Sequence, residues 1–436
     1  PLVKLLRTGS DGAKRHAATA LTQLSCTASP DVEMALTGGD GSMTSLPSPT
    51  KVRAADRDWS HLMQTEMAQA GAITSFVEWL FDPSLGRPEL AAQALAHIAM
   101  GSTVSQVTIA EEGAIAPLVG MLHARDNVDS QTWAACALAA LAETNAPNQI
   151  AIAEEEGIAP LIELLRQPRT APHENATRAL RHLADDADNK IAIAREGGLA
   201  PIVRMLGDEA TECGQEWAAA ALEALSKECP ENQMALSRAG AIAPLVELLG
   251  STSEEAQERA QGALLHIAAP NADGRSNVIR PLVGHLSVRS TVAQMKAAES
   301  LAILAARSAA NRAAIAVAGA IVPLVGLLGD GRNVSTSQVH AAAGLCDLAR
   351  ASENKSAIVT AGGVAPLVRM LASSHPGAQS HACGALAHLA STAAAQQLIA
   401  EHNGIVSLVG HLASERVVTA HAAAQAAGED VPPDFF

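Results

Sequence analysis

Three apolar spacings recur in a fixed order along almost the whole chain. The most regular is Gly113-Ala-Ile-Ala-Pro-Leu-Val-Gly-Met-Leu122, copied at Gly71–Leu80, Gly157–Leu165, Gly198–Leu206, Gly240–Leu249, Arg280–Leu286, Gly319–Leu328, Gly363–Leu371 and Gly404–Leu412. Pro1-Leu-Val-Lys-Leu-Leu6 is a further copy, cut at its start. Its Leu-Val-x-x-Leu core places apolar side chains on one helical stripe. A longer segment follows each copy and approximates Ala-x-x-Ala-Leu-x-x-Leu-Ala, as in Ala176-Thr-Arg-Ala-Leu-Arg-His-Leu-Ala184, and a short apolar-periodic segment precedes it. With the Pro position as marker (Ser75, Pro117, Pro160, Pro201, Pro244, Pro281, Pro323, Pro366, Ser407), successive steps run from 37 to 43 residues. Three helices per period in the low forties predict an all-α solenoid rather than one globular core.

The junction between the first two helices has its own signature. Four residues before each marker stand Gly71, Gly113, Glu156, Gly197, Gly240, Asn277, Gly319, Gly362 and Asn403, and all but Glu156 are types that enter the left-handed region cheaply. That position is predicted to end the first helix and turn the chain. Pro then suits the first turn of the second helix, where a missing N–H costs nothing.

This pattern resembles the armadillo family, in arrays similar to the β-catenin-like and vacuolar-scaffold-like ones, over nearly everything from Pro1 to about Gln425. The resemblance implies a right-handed superhelix of about ten three-helix repeats, H1, H2 and H3, over residues 1–427, the first and last incomplete. A tail, 428–436, follows. It also implies an extended peptide lying across the H3 helices on the concave side.

Three places depart from the period. A Gly-, Ser- and Pro-rich insertion at about 30–56 predicts a long surface loop. The short step before Pro281 leaves little room for a first helix at 270–277, so a bend is expected near 270–281. The tail carries Phe435 and Phe436, two of only 4 Phe, and either docks or frays.

On each H3 an outward stripe can be read at three positions on one helical face. Its members include His97; Trp133; Asn175, Arg178 and His182; Trp217; Arg259 and His266; Lys296; His340 and Asp347; and His381 and His388. In armadillo proteins an Asn at the third position typically clamps the ligand backbone. Here that position holds His97, His182, His266 and His388, and an imidazole can either clamp an amide in the same way or merely cap the ridge. Trp133 and Trp217 are each followed by small residues, so each either forms a shelf for a partner side chain or packs on the neighbouring H3. Trp59 and Trp79 are read as core.

Net charge is -15 at pH 7, which argues against a nucleic-acid partner, because a polyphosphate requires a basic stripe. Arg178, Arg259 and Lys296 nonetheless permit an acidic or phosphorylated segment in the groove. Aromatics make up 2% of the chain and Tyr is absent, in keeping with helices packed through small side chains. No apolar run spans a membrane. The 6 cysteines form no Cys-x-x-Cys pair and read as reduced thiols of an intracellular, cytoplasmic protein, with the nucleus also open. The sequons at Asn175, Asn333 and Asn354 are expected to be unused.

No zinc-protease helix, phosphate-binding loop or dinucleotide fingerprint occurs, and Asp185-Asp-Ala-Asp188 reads as a helix cap rather than a calcium loop. The expectation is therefore no enzyme, no metal and no cofactor, but a scaffold holding an extended partner segment in the H3 groove. Two alternatives stay open: a structural subunit of a large assembly such as a ciliary one, and an import adaptor like importin alpha. The adaptor requires Trp and Asn paired on successive H3 helices, where this chain has Gln93, Cys136, Arg178, Ala220 and Gly262.

Overall fold

The computed structural model describes residues 1–26, 66–82, 88–167, 172–207, 210–268, 272–329 and 334–410. The insertion, Trp59, Asn333 and the tail lie outside the described residues. Every regular element among the described residues is an α-helix. The chain divides into two compact units: Pro1–Leu248 with Ser253–Ile267, and Leu249–Thr252 with Ala268–Phe436.

In the N-terminal unit each third helix packs on the next, through Asp11–Cys26, Pro88–Ala99, Val128–Ala142, Pro172–Leu183, Glu212–Ser226 and Glu254–Ile267. Small residues permit the close approach, and Ala134, Ala135, Ala137 and Ala139 are all fully buried. The second helices, such as Ile115–Leu122, Ile158–Arg166 and Ile242–Leu248, bury their Leu and Val against the third helix of the same repeat. Trp79 and Phe76 fill the same layer, edge to face with ring centroids 6.2 Å apart. The C-terminal unit repeats the plan with third helices Thr291–Arg307, Thr336–Leu348 and Pro376–Leu389.

The first-to-second-helix turn follows the expected geometry at eight of the nine marked positions. Gly71, Gly113, Glu156, Gly197, Gly240, Gly319, Gly362 and Asn403 all have positive φ. At Gly113 the amide donates to Ala110 and the next amide, Ala114, donates back to Ile109 O at 3.2 Å, so the last carbonyls of Thr103–Glu111 find donors inside the turn. Glu156 adopts φ 59 although its side chain gives it no preference for that region. Asn277 is the exception and corrects the expectation: it lies inside one continuous helix, Ala272–His285, with Pro281 in its interior. The shortened repeat has fused its first and second helices instead of turning.

Side-chain amides stitch the repeats together, a feature the apolar pattern did not expose. In the first helices Asn148 Nδ2 donates to two carbonyls of the preceding repeat, Gln106 O in its first helix at 3.3 Å and Leu141 O in its third helix at 3.0 Å. Asn189 reaches Gln149 O at 3.0 Å, and Asn232 reaches Lys190 O at 3.1 Å and Leu225 O at 3.0 Å. Asn311 and Asn354 bond the third helix of the preceding repeat, at Leu304 O and Leu348 O. A second series comes from Gln131, Gln215, Gln338 and Gln379, whose Nε2 groups donate to the carbonyls of Leu122, Leu206, Leu328 and Leu371. These are carbonyls at second-helix ends, which no intrahelical N–H can reach.

Asp186 caps Ala187–Arg195 by accepting from the Asp188 and Asn189 amides, the role read for that acidic run. Asn175 and Asn354 are buried within helices, positions at which a glycan has no room.

Candidate functional site

The stripe residues of the N-terminal unit form a chain of contacts between successive third helices. The His97 ring lies 5.8 Å from that of Trp133, tilted by 52°. Asn175 Nδ2 donates to Thr132 O at 3.4 Å. Arg178 Nη2 donates to Cys136 O at 3.4 Å and lies 3.5 Å from Cys136 Sγ, while its Cζ stands 5.9 Å from the centroid of Trp217. The His182 ring meets the same Trp217 at 6.0 Å and 57°. Both tryptophans are half-buried, between imidazole or guanidinium on the preceding helix and the buried Cys136, Ala140, Ala220 and Ala224 beside them on their own. Of the two readings left open for Trp133 and Trp217, packing on the neighbouring third helix is the arrangement observed, with one flank of each ring still reaching solvent.

His97 corrects the clamp expectation at its position. It is 1% exposed, under Trp133, and its ring is a core element rather than a groove donor. Burial first, and the Arg178 charge second, lower its pKa to about 4, so it is neutral at pH 7. His182 is lowered to about 3 by burial, then by Arg181 and Arg178. Two neutral imidazoles therefore flank the Arg178 cation. The thiols here are equally inert: burial raises the Cys136 pKa, and burial with Glu174 and Glu216 pushes Cys213 up to about 11. Cys136, Cys213, Cys229, Cys346 and Cys383 are all free.

The other basic stripe residues are internally paired. Arg259 contacts Glu255 at 2.6 Å, one turn away, and Glu223 of the preceding third helix at 3.2 Å. Gly262 makes room for that carboxylate, since a Cβ there would lie 2.2 Å from Glu223 Oε1. His266 is half-buried on the same helix. In the C-terminal unit Lys296 pairs with Glu299 at 3.5 Å. His340 sits in the field of Glu299, Lys296 and His381, and its pKa is lowered chiefly by burial. Asp347 pairs with Arg350 at 3.4 Å, and His381 and His388 are half-buried on Pro376–Leu389. Within each unit the predicted residues thus lie along successive third helices. Among the described residues no three His, Cys, Asp or Glu side chains are placed to share a metal ion.

The family model for the Armadillo/beta-catenin-like repeat matches residues 229–269 and 351–391. An engineered protein solved by a structural genomics consortium is similar over 89% of this chain and 98% of its own, with 28% identity and a TM-score of 0.65. The chain carries armadillo repeats. A designed armadillo repeat protein, 24% identical, superposes with a TM-score of 0.51 over 61% of this chain and 98% of its own, and shows the fold alone. No curated protein matches the sequence. Armadillo arrays commonly mediate protein binding, and their scaffold is typically non-catalytic. Among the described residues of this array no single helix is long and apolar enough to cross a membrane.

Proposed function

We propose that this armadillo array is a non-catalytic scaffold that holds an extended segment of a partner protein along the third-helix face of its N-terminal unit. The observation that carries this reading is the alternation of half-buried Trp133 and Trp217 with the polar pair Asn175 and Arg178 on the helix between them. Each indole has one flank fixed by a neighbouring helix and small side chains beside it, which leaves a rigid apolar ledge. An extended chain presents alternate side chains to such a surface, and rigid aromatic ledges are where partner side chains gain most on desolvation. The net charge of -15 speaks against nucleic acid as the partner, and the free thiols suit a reducing, cytoplasmic compartment.

The test is selection of extended peptides from a display library on the intact protein, followed by Trp217→Ala and Trp133→Ala. Selected peptides are expected to lose at least tenfold in affinity for the double variant at unchanged helicity. Peptides that bind it as well as the parent place the contact elsewhere and overturn the reading.

A second reading, as a structural component of a large assembly, draws on a different surface. Val107, Ile150, Ile191 and Met234 occupy equivalent positions on four successive first helices and are all exposed, whereas the same position in the C-terminal unit holds Ala313, Ser356 and Gln397. Loss of high-mass association on their joint replacement by Ser would favour that reading.

A further inference from the structure

Of the three cations on the stripe, Arg259 and Lys296 are neutralised by carboxylates, and Arg178 is not. Arg178 is 7% exposed, yet among the described residues it forms no ion pair. Its contacts are a carbonyl and a thiol on one side and the face of Trp217 on the other. The carboxylates that act on Cys213 together with Arg178 are those of Glu174 and Glu216, and both accept hydroxyl hydrogen bonds, from Thr211 and Ser253. Arg181 is held by Asp185 at 2.9 Å. His97, His182 and Cys213 are neutral at pH 7 and supply no counter-charge.

A guanidinium carries five N–H donors in a planar fork, and the two contacts made here occupy one nitrogen. A desolvated charge without a counter-ion is unfavourable in the free protein, and proteins retain such charges where a ligand supplies the opposite one. The matching group is planar or tetrahedral and anionic, because paired N–H bonds to two oxygens are the strongest use of that fork. The Cys136 contacts and the Trp217 ring, 5.9 Å from Cζ, hold the guanidinium from two sides before a ligand arrives.

We infer that Arg178 is the seat for an oxyanion carried on the bound segment, a carboxylate or a phosphate, with the adjoining residue of that segment lying on Trp217. The inference rests on the third-helix face being the partner groove and adds the chemistry that face selects.

The experiment uses the intact chain and three randomised nonapeptide pools that differ in one fixed central residue: phosphoserine, glutamate or alanine. Inorganic phosphate and phenyl phosphate serve as free-anion probes, and Trp217 fluorescence is read against Trp217→Phe. Retention of the phosphoserine or glutamate pool at least tenfold above the alanine pool is expected, with the preference abolished in Arg178→Met and reduced in Arg178→Lys, which keeps the charge but not the fork. The ranking of phosphoserine against glutamate identifies which oxyanion the site takes. Arg178→Met keeps the stem on Trp217 and removes the uncompensated charge, so the free protein is expected to melt no lower than the parent. Equal retention of all three pools by parent and variant overturns the Arg178 assignment while leaving the groove intact. No retention of any pool overturns both. Full occupancy by phosphate alone, with no preference among the peptides, overturns the bound-segment source. A lower melting point in Arg178→Met with an unchanged pool ranking makes Arg178 a structural cation and also overturns the assignment.

Discussion

Replacing Asn232 by Ala removes two hydrogen bonds of different kinds, and the structure separates their weights. Leu225 O lies in the last turn of Glu212–Ser226, where no helical N–H follows to meet it, and the Asn232 amide at 3.0 Å is its donor. Its loss leaves a buried acceptor unmet, at about 1–3 kcal/mol. Lys190 O sits inside Ala187–Arg195 and keeps its helical partner, so losing the 3.1 Å bond there costs only the net value of one bond, about 1 kcal/mol. The sum is about 2–4 kcal/mol.

Asn354→Ala is the internal control. Asn354 bonds only Leu348 O, which also accepts the Ala351 amide at 3.2 Å, so about 1 kcal/mol is expected. Urea unfolding with residue-resolved hydrogen exchange distinguishes the two. Asn232→Ala is expected to lower protection in its own repeat and in the preceding first helix, Ala187–Arg195, because the lost bond to Lys190 O belongs to the interface between repeats. Equal costs for the two variants would refute the weight given to the unmet Leu225 carbonyl, and unchanged exchange in Ala187–Arg195 would refute the coupling assigned to the Lys190 bond.

Two further outcomes follow from single residues. Glu156→Gly removes a side chain from a left-handed position, φ 59, and is expected to raise stability by about 1 kcal/mol, read as a higher urea midpoint at constant slope; a lower midpoint contradicts the strain argument. His97 has a folded pKa of about 4 against 6.5 for the unfolded group, so its contribution is intact above pH 6.5 and is lost as pH falls toward 4. At pH 5 the parent should lose about 2 kcal/mol more than His97→Leu relative to pH 7, and identical pH profiles would remove His97 as the cause.

The repeat, its three helices and most of its turns were legible because each is a local pattern sampled many times. Gly and Pro at fixed offsets report backbone conformation directly, and repetition averages away the exceptions. Glu156 and Asn277 show the limit of residue type as a guide to the turn. Glu156 turns because the repeat length obliges it to, while Asn277, a residue suited to the turn, stays helical because its repeat is short. The stripe was legible as a set of positions but not as a set of exposures. His97 was placed on the outward stripe, yet Trp133 of the next repeat covers it, and that cover is a fact about two helices rather than one. Arg178, Arg259 and Lys296 looked alike in sequence, and only the placement of Glu223, Glu255 and Glu299 sets Arg178 apart. The recurring first-helix Asn was visible, but its acceptors lie about one repeat away and are backbone atoms, which no side-chain pattern reveals.

Those backbone acceptors bear on how such a protein can change over time. The amides of Asn148, Asn189 and Asn232 grip carbonyls contributed by Gln106, Gln149 and Lys190, and a carbonyl is present whatever side chain its residue carries. The joints are thus insensitive to the lettering of the surfaces they join. A whole repeat of the N-terminal unit can be duplicated, exchanged or lost with its joint intact so long as the asparagine travels with it, and the residues facing the partner are free to diversify between copies. Stacking and recognition are written in different atoms, which lets one drift while the other is held.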